Sequence, residues 1–290
     1  MGTVAEKLAA ILESKAALKA AFEAEGLTVP TKLSEWPDLV GELADTVADT
    51  VAGGVLYEGY ELTYHSETGL SVIIAPNSTT VSAWWLHQNP DLRLIALPSL
   101  VMADVGMFQG LDKLKRVELG SLSEIPAGFF ADLPSLVEVT GLWAVGTIGS
   151  GSDGTGGFSN CPKLQSVQFM GLEHVGDYAF ADDVSLRNTG GFYCVSEIGE
   201  YAFENCRSLE TENGTLWLEA LTSIGSHAFA GCDQVRKVYI GNCSTVDAEA
   251  FAGMGNLEEI HTTNTSLFTS EHIGDCWGCD SGKCGVFIDV

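Results

Sequence analysis

The residues best equipped for chemistry crowd near the C-terminus, where Cys276, Cys279 and Cys284 follow one another at x2 and x4 spacing and His272 stands four residues ahead of the first. Thiolates and imidazole are zinc ligands, and four such groups in one short segment could close a tetrahedral structural site. The spacing fits no established zinc class, so a metal-free terminal cap, packed or oxidised, is the competing expectation. Three further thiols, Cys161, Cys206 and Cys232, each lie three residues after a Phe, where Leu111, Leu133 and Met254 stand elsewhere. At such a position a thiol serves as a small buried hydrophobe. Cys194 and Cys243 are expected to face inward likewise. Gly149, Gly151 and Gly154 spell G-x-G-x-x-G, but no helix of the length a phosphate cradle needs follows them, which predicts a flexible loop. His65, His87, His174 and His261 have no spacing to a nucleophile or carboxylate that suggests a triad, and His227 takes a place filled by Tyr178 and Tyr201 elsewhere. G-x-S-x-G, H-E-x-x-H and P-loop patterns are missing. The expectation is therefore no catalytic residue, no enzyme activity, and no cofactor beyond that terminal zinc.

Composition sets the bounds within which these residues work. With 290 residues, 46% of them hydrophobic, the chain can bury a sizeable core. Its 14 basic and 39 acidic side chains give a formal charge of −25, a field that repels phosphate backbones and anionic lipids. Nucleic acid and membrane are poor partners on that ground, and no run approaches the roughly 18 apolar residues of a membrane span. Met1 to Ala10 carry Glu6 and Lys7 and no apolar h-region, so a protein made and kept in the cytoplasm is expected.

Two helices are predicted first. Val4, Leu8, Ile11, Leu18 and Phe22 fall at three- and four-residue steps, interrupted by Lys15, in a segment rich in Ala, Leu, Glu and Lys. Gly26 ends that helix, and Ser34 caps a second one that runs through Leu39, Leu43 and Val47. Residues 3 to 47 thus make a helical hairpin, too small for a core of its own. It packs on the rest of the chain or docks and oligomerises through its stripe. Residues 13 to 30, followed by Leu33-Ser34-Glu35-Trp36-Pro37, resemble a leader found at the N-termini of phage and prophage virion proteins such as tail and head fibres. That resemblance implies partners among other virion proteins or a host surface receptor, and a homo-oligomer, with a trimer the fibre-like expectation.

From about residue 55 a repeat takes over. Val175-Gly-Asp-Tyr-Ala-Phe180, Ile198-Gly-Glu-Tyr-Ala-Phe203 and Ile224-Gly-Ser-His-Ala-Phe229 are each followed by Leu or Val six residues on. The Phe series 108, 130, 158, 180, 203, 229 and 251 recurs every 22 to 28 residues and extends back through Leu86 and Tyr64, the signature of a leucine-rich-repeat solenoid. The expected fold class is an α/β solenoid of about ten coils, each a parallel strand plus a short helical turn with Phe as wedge. Leu114 to Leu119, Leu164 to Phe169 and Val235 to Ile240 alternate with period two, as half-buried strands do. The form I-G-x-x-A-F-x-x-C-x-x-L resembles the BspA-like leucine-rich-repeat family. That resemblance implies surface adhesion and binding rather than catalysis.

Alternation assigns the faces. Outward positions are polar in the later coils, including Gln168, Tyr239 and His261, which with Asp153 of the 149–157 insertion form the expected ligand surface. A second insertion is read at 212–216. In the earliest coils Val72, Ile74, Leu94 and Ala96 point outward, an apolar face that something should cover. Val72, Ile74 and Leu94 therefore join the helical stripe as the expected partner interface. Trp84 and Trp85 lie in the same coil, and at least one should replace the wedge. The predicted layout is a hairpin over 1–50, a solenoid over 51–271 and a cap over 272–290. The leading functional expectation is a virion-associated protein of a bacterial virus. The alternative is a BspA-like adhesin on a bacterial cell surface.

Overall fold

The structure, a computed structural model, describes residues 72–74, 79–151, 154–190, 192–209, 212–267 and 284–288. The hairpin and its stripe Val4, Leu8, Ile11, Leu18 and Phe22 lie outside these residues, as do Asp153, His272, Cys276 and Cys279. In chain order the strands are β1 (Val72–Ile74), β2 (Leu94–Leu97), β3 (Arg116–Leu119), β4 (Glu124–Ile125), β5 (Glu138–Thr140), β6 (Thr147–Ile148), β7 (Ser166–Val167), β8 (His174–Val175), β9 (Glu197–Ile198), β10 (Thr215–Trp217), β11 (Ser223–Ile224), β12 (Lys237–Tyr239), β13 (Thr245–Val246), β14 (Glu259–Thr262) and β15 (Gly285–Ile288).

Every strand pair among the described residues is parallel, as a coil that returns to its own level plus one spacing requires. The main face stacks β1, β2, β3, β5 and β7, continues through a single bridge from Ser166 to Asn188, and resumes as β10, β12, β14 and β15. A second face, not foreseen from sequence, runs unbroken as β4, β6, β8, β9, β11 and β13. Each of its two-residue strands is an Ile or Val and the residue before it; Gly follows that Ile or Val in β6, β8, β9 and β11, Pro126 in β4 and Asp247 in β13. Each buries one aliphatic side chain, Ile125, Ile148, Val175, Ile198, Ile224 or Val246, against the main-face residues.

The wedges mark eight turns among the described residues: Leu86, Phe108, Phe130, Phe158, Phe180, Phe203, Phe229 and Phe251, all fully buried. Neighbouring rings stack almost parallel, with centroids 5.1, 4.9, 5.0, 5.1, 5.4 and 5.9 Å apart along the series. Each such Phe contributes about 1.5–3 kcal/mol of burial, and the offset stack adds to it.

The wedge segments are not helical, which corrects the expected short helical turn. Phe130, Phe158, Phe180, Phe203 and Phe229 each donate their N–H to a carbonyl in the next coil, not to one four residues back. The cause is a left-handed residue two places after the wedge in each of these coils: Asp132, Asn160, Asp182, Asn205 and Gly231, with Gly110 and Gly253 in the flanking ones. A second stands two places before it at Gly106, Gly128, Tyr178, Tyr201 and His227. Left-handed residues at this interval end any α-helical turn before it can close. One coil lacks them. There Gln88 follows the wedge at φ −75°, and Ala83–His87 forms a single α-helical turn, α1. Its wedge is Leu86; Trp84 is exposed and Trp85 half-buried, so neither Trp replaces it.

Two other expectations change. The 26-residue step does not place a loop over 212–216: a 3-10 turn over Glu212–Gly214 leads into β10, where Leu216 is core. In the 28-residue step, Ser150 bridges Gly156 antiparallel and Gly151 donates to the Thr155 carbonyl at 2.8 Å, so the described residues on either side of 152–153 are paired where a flexible loop is expected. Gly156 lies so close to the Tyr178 carbonyl that a Cβ would fall 2.0 Å from it, so that glycine serves packing.

Candidate ligand-binding face

The site follows from strand alternation. In β10, β12 and β14 the central residues Leu216, Val238 and Ile260 are buried, so the residues beside them face out. Parallel register then stacks like on like: Trp217 pairs with Tyr239, Tyr239 with His261, and His261 with Phe287. The four rings form one column, with centroids 4.2, 4.3 and 5.1 Å apart and planes within 18° of parallel. Inner rings have both faces covered by neighbours and show their edges. The end rings, Trp217 and Phe287, are each 45% exposed.

A polar row runs beside the column. Lys237 Nζ lies 2.7 Å from Glu259, whose carboxylate also meets His261 Nε2 at 3.1 Å. The hydrogen bond from Lys237 holds the Glu259 carboxyl below its ordinary range, with His261 second, and the same bond raises Lys237. Glu259 thereby fixes the His261 ring within the stack. Further along the face Arg116 pairs with Glu138 at 3.7 Å.

Of the expected ligand residues, Tyr239 and His261 are thus brought into direct contact. Gln168 is exposed in the same outward row, one coil before Gly190 and two before Trp217. Trp217 and Phe287 escaped the sequence reading. Trp217 sits just past a four-residue insertion that hid its register, although Thr-Leu-Trp already alternates. Of the expected interface, β1 pairs with β2 so that Val72 meets Leu94 and Ile74 meets Ala96 in register, and Leu94 is half-buried.

The thiols divide differently from expectation at one point. Cys161, Cys206 and Cys232 are buried, and their Sγ–H groups donate to the carbonyls of Phe130, Phe180 and Phe203 in earlier coils at 2.9, 3.1 and 3.3 Å. Burial raises all three above the ordinary thiol range, so they stay protonated and inert. Cys243 is buried as expected, but Cys194 is exposed. Its corner spans nine residues between Thr189 and Ile198 where most span eight. Phe192 and Val195 take the inward places and Tyr193 and Cys194 are pushed out. Asp183, which sequence reading overlooked, occupies the cysteine position of its coil. Cys284, half-buried, is the one residue of the expected zinc set among the described residues.

Comparison with known proteins bears on the repeats. Six copies of the BspA type leucine-rich repeat region match residues 152–276. Among solved structures the chain is similar to a leucine-rich repeat protein from Bacteroides ovatus, at 19% identity over 75% of this chain and 61% of that one, with a TM-score of 0.48. It is also similar to a leucine rich cell surface protein from Faecalibacterium prausnitzii, at 18% identity over 69% of this chain and 73% of that one, with a TM-score of 0.37. The chain spans about three fifths of the Bacteroides protein's length. No curated protein matches it. These similarities concern the repeats, and the virion reading keeps only residues 13–37 behind it, outside the described residues.

Proposed function

We propose that this protein is a non-catalytic binding protein of the BspA-like adhesin kind, acting at a bacterial cell surface and contacting its partner through the outward aromatic row of the main face. The observation that carries this reading is the column Trp217, Tyr239, His261 and Phe287, held in register by four parallel strands and left partly exposed at both ends. A solenoid offers a rigid platform whose inward residues are fixed by stacking while outward ones are free to vary. Rings pinned this way lose little entropy on contact, which is what makes aromatic residues effective anchors. The BspA type repeats over residues 152–276 support the adhesin reading ahead of the virion one.

The test joins location to contact. Antibody raised against the solenoid should label intact cells of the producing bacterium, and the purified chain should attach to its target surface. The double variant Trp217→Ala, Tyr239→Ala should fold normally and lose most of that attachment. Labelling of phage particles and not of cells would reinstate the virion reading. Undiminished attachment by the folded double variant would move the contact off this face. Self-association through residues 1–47 belongs to the same proposal: light scattering of the full chain should give an oligomer that falls to a monomer on their deletion, and a monomer throughout would remove it.

A further inference from the structure

The aromatic column stops at Trp217 because of what stands next in the row. Counted from the wedges, Gly190 stands ten residues after Phe180, as Tyr239 and His261 stand ten after Phe229 and Phe251, and Trp217 takes the same place after the four-residue insertion that follows Phe203; the Ser166 to Asn188 bridge sets Gly190 beside Gln168. Gly190 is exposed and carries no side chain, and the main-face ladder is interrupted at the same level, between the Asn188 bridge and β10. One face of the Trp217 indole is taken by Tyr239 at 4.2 Å, and the residue is still 45% exposed. Among the described residues no ring fills that level of the stack, which lies between an aromatic floor and the exposed amide of Gln168.

From this we infer that the gap at Gly190 is a binding site for a single pyranose ring of a neutral glycan, laid flat on Trp217; the inference rests on the reading of this face as a binding surface. The spacing suits one ring. Gln168 and Trp217 belong to coils two levels apart, whose wedges Phe158, Phe180 and Phe203 are spaced 5.0 and 5.1 Å between ring centroids. A ring seated on the indole at about 4.5 Å between centres would lie near the Gly190 level and leave Gln168 within reach of its hydroxyls. The chemistry also selects. The C–H bonds on one face of a pyranose are weakly positive and meet the negative face of the indole, while the hydroxyls around its rim need the polar groups that Gln168 and Asn188 offer. Asn188 Oδ1 already accepts the Gly190 N–H at 2.7 Å, which holds that side chain at the site and leaves its amide N–H groups to donate. A chain with a formal charge of −25 disfavours sialylated or sulfated sugars, which is why the inference commits to neutral ones.

The experiment uses the purified full chain on immobilised oligomers of glucose, galactose, mannose and N-acetylhexosamines, with sialylated and sulfated glycans alongside. Binding to at least one neutral glycan is expected, with a matching change in indole fluorescence when the free sugar is added. Trp217→Ala should weaken that binding about tenfold or more, the worth of one good stacking contact, while Trp217→Phe keeps most of it. Far-UV circular dichroism and melting temperature show that both variants fold; if Trp217→Ala does not, Gln168→Ala, an exposed change, should weaken binding instead. Wild-type protein that binds no neutral glycan, or binds only acidic ones, overturns the inference. So does undiminished binding by folded Trp217→Ala, or loss of self-association in that variant, which would put a side chain of a second copy in the gap. Attachment to the target surface without glycan binding would overturn this inference alone and leave the adhesive role of the face standing.

Discussion

At the scale of single residues, Asp183 is the exception in an otherwise apolar ladder. Its coil neighbours place Cys161 and Cys206 at the same position, and its side chain is fully buried. One carboxyl oxygen accepts the Cys161 N–H at 2.6 Å and the other has no hydrogen-bond partner. Desolvation drives its pKa well above the ordinary carboxyl value, with the Cys161 bond opposing and Asp182 adding. Below about pH 4 the carboxyl is protonated in both folded and unfolded chains and costs no ionisation. As pH rises beyond that, the unfolded chain gives up its proton while the folded one keeps it, so stability falls until the buried carboxyl itself ionises. Asp183→Asn keeps an oxygen for Cys161 and cannot ionise. Its stability advantage over wild type should therefore be small at pH 4 and grow steadily as pH rises to 8, because only the wild-type chain is penalised for holding its carboxyl protonated when folded. Urea titrations at the two pH values check this, and an advantage that does not grow with pH would mean the carboxyl is relieved by a partner.

At the scale of elements, the wedge turn is defined by its left-handed residues more than by Phe. Gly110 gives the cleanest test: its φ is +79° and a Cβ there would meet nothing within 4 Å, so alanine adds backbone strain and no clash. Gly110→Ala should cost about 1–2 kcal/mol, and Gly110→Asn less, because Asn tolerates this region as Asn160 and Asn205 do. Melting temperatures of the two variants separate strain from packing; equal losses would show the side chain to matter. Hydrophobic period alone revealed the strand alternation and the wedges. It did not reveal the turn conformation, because A-F-x-x-C-x-x-L reads equally well as a helical turn. The Gly, Asn or Asp two places after each wedge was the overlooked signal, and Gln88, which breaks that rule, marks the one turn that is helical. Two-residue strands such as Glu197–Ile198 are too short for any alternation to show. The aromatic column was half legible: Tyr239 and His261 lie in plain strands, whereas the insertion before β10 displaced Trp217 from the expected count.

At the scale of the whole solenoid, each coil relies on the next for its hydrogen bonds, so the last coil must be closed. β14 gives its outer edge to β15 over four residues, Glu259 to Gly285 through Thr262 to Ile288. Beneath it Ile260, Leu257 and the Phe251 wedge are fully buried, and Thr262 is buried with its hydroxyl donating to the Gly241 carbonyl at 2.8 Å. Removing β15 would leave a four-residue parallel edge open directly beside that core, the arrangement that invites pairing with another chain. It would also uncover the outer face of His261 in the aromatic column. Deleting residues 284–290 should therefore yield a protein that associates with increasing concentration and melts at lower temperature. Turns far from the end, such as those around Phe130 and Phe158, should stay protected from hydrogen exchange, because stability in a solenoid is summed over neighbours and does not fail all at once. Light scattering and exchange measured on the same sample test both halves. A monodisperse, equally stable deletion would show that β15 closes nothing, and uniform loss of protection would show that the coils unfold as one unit.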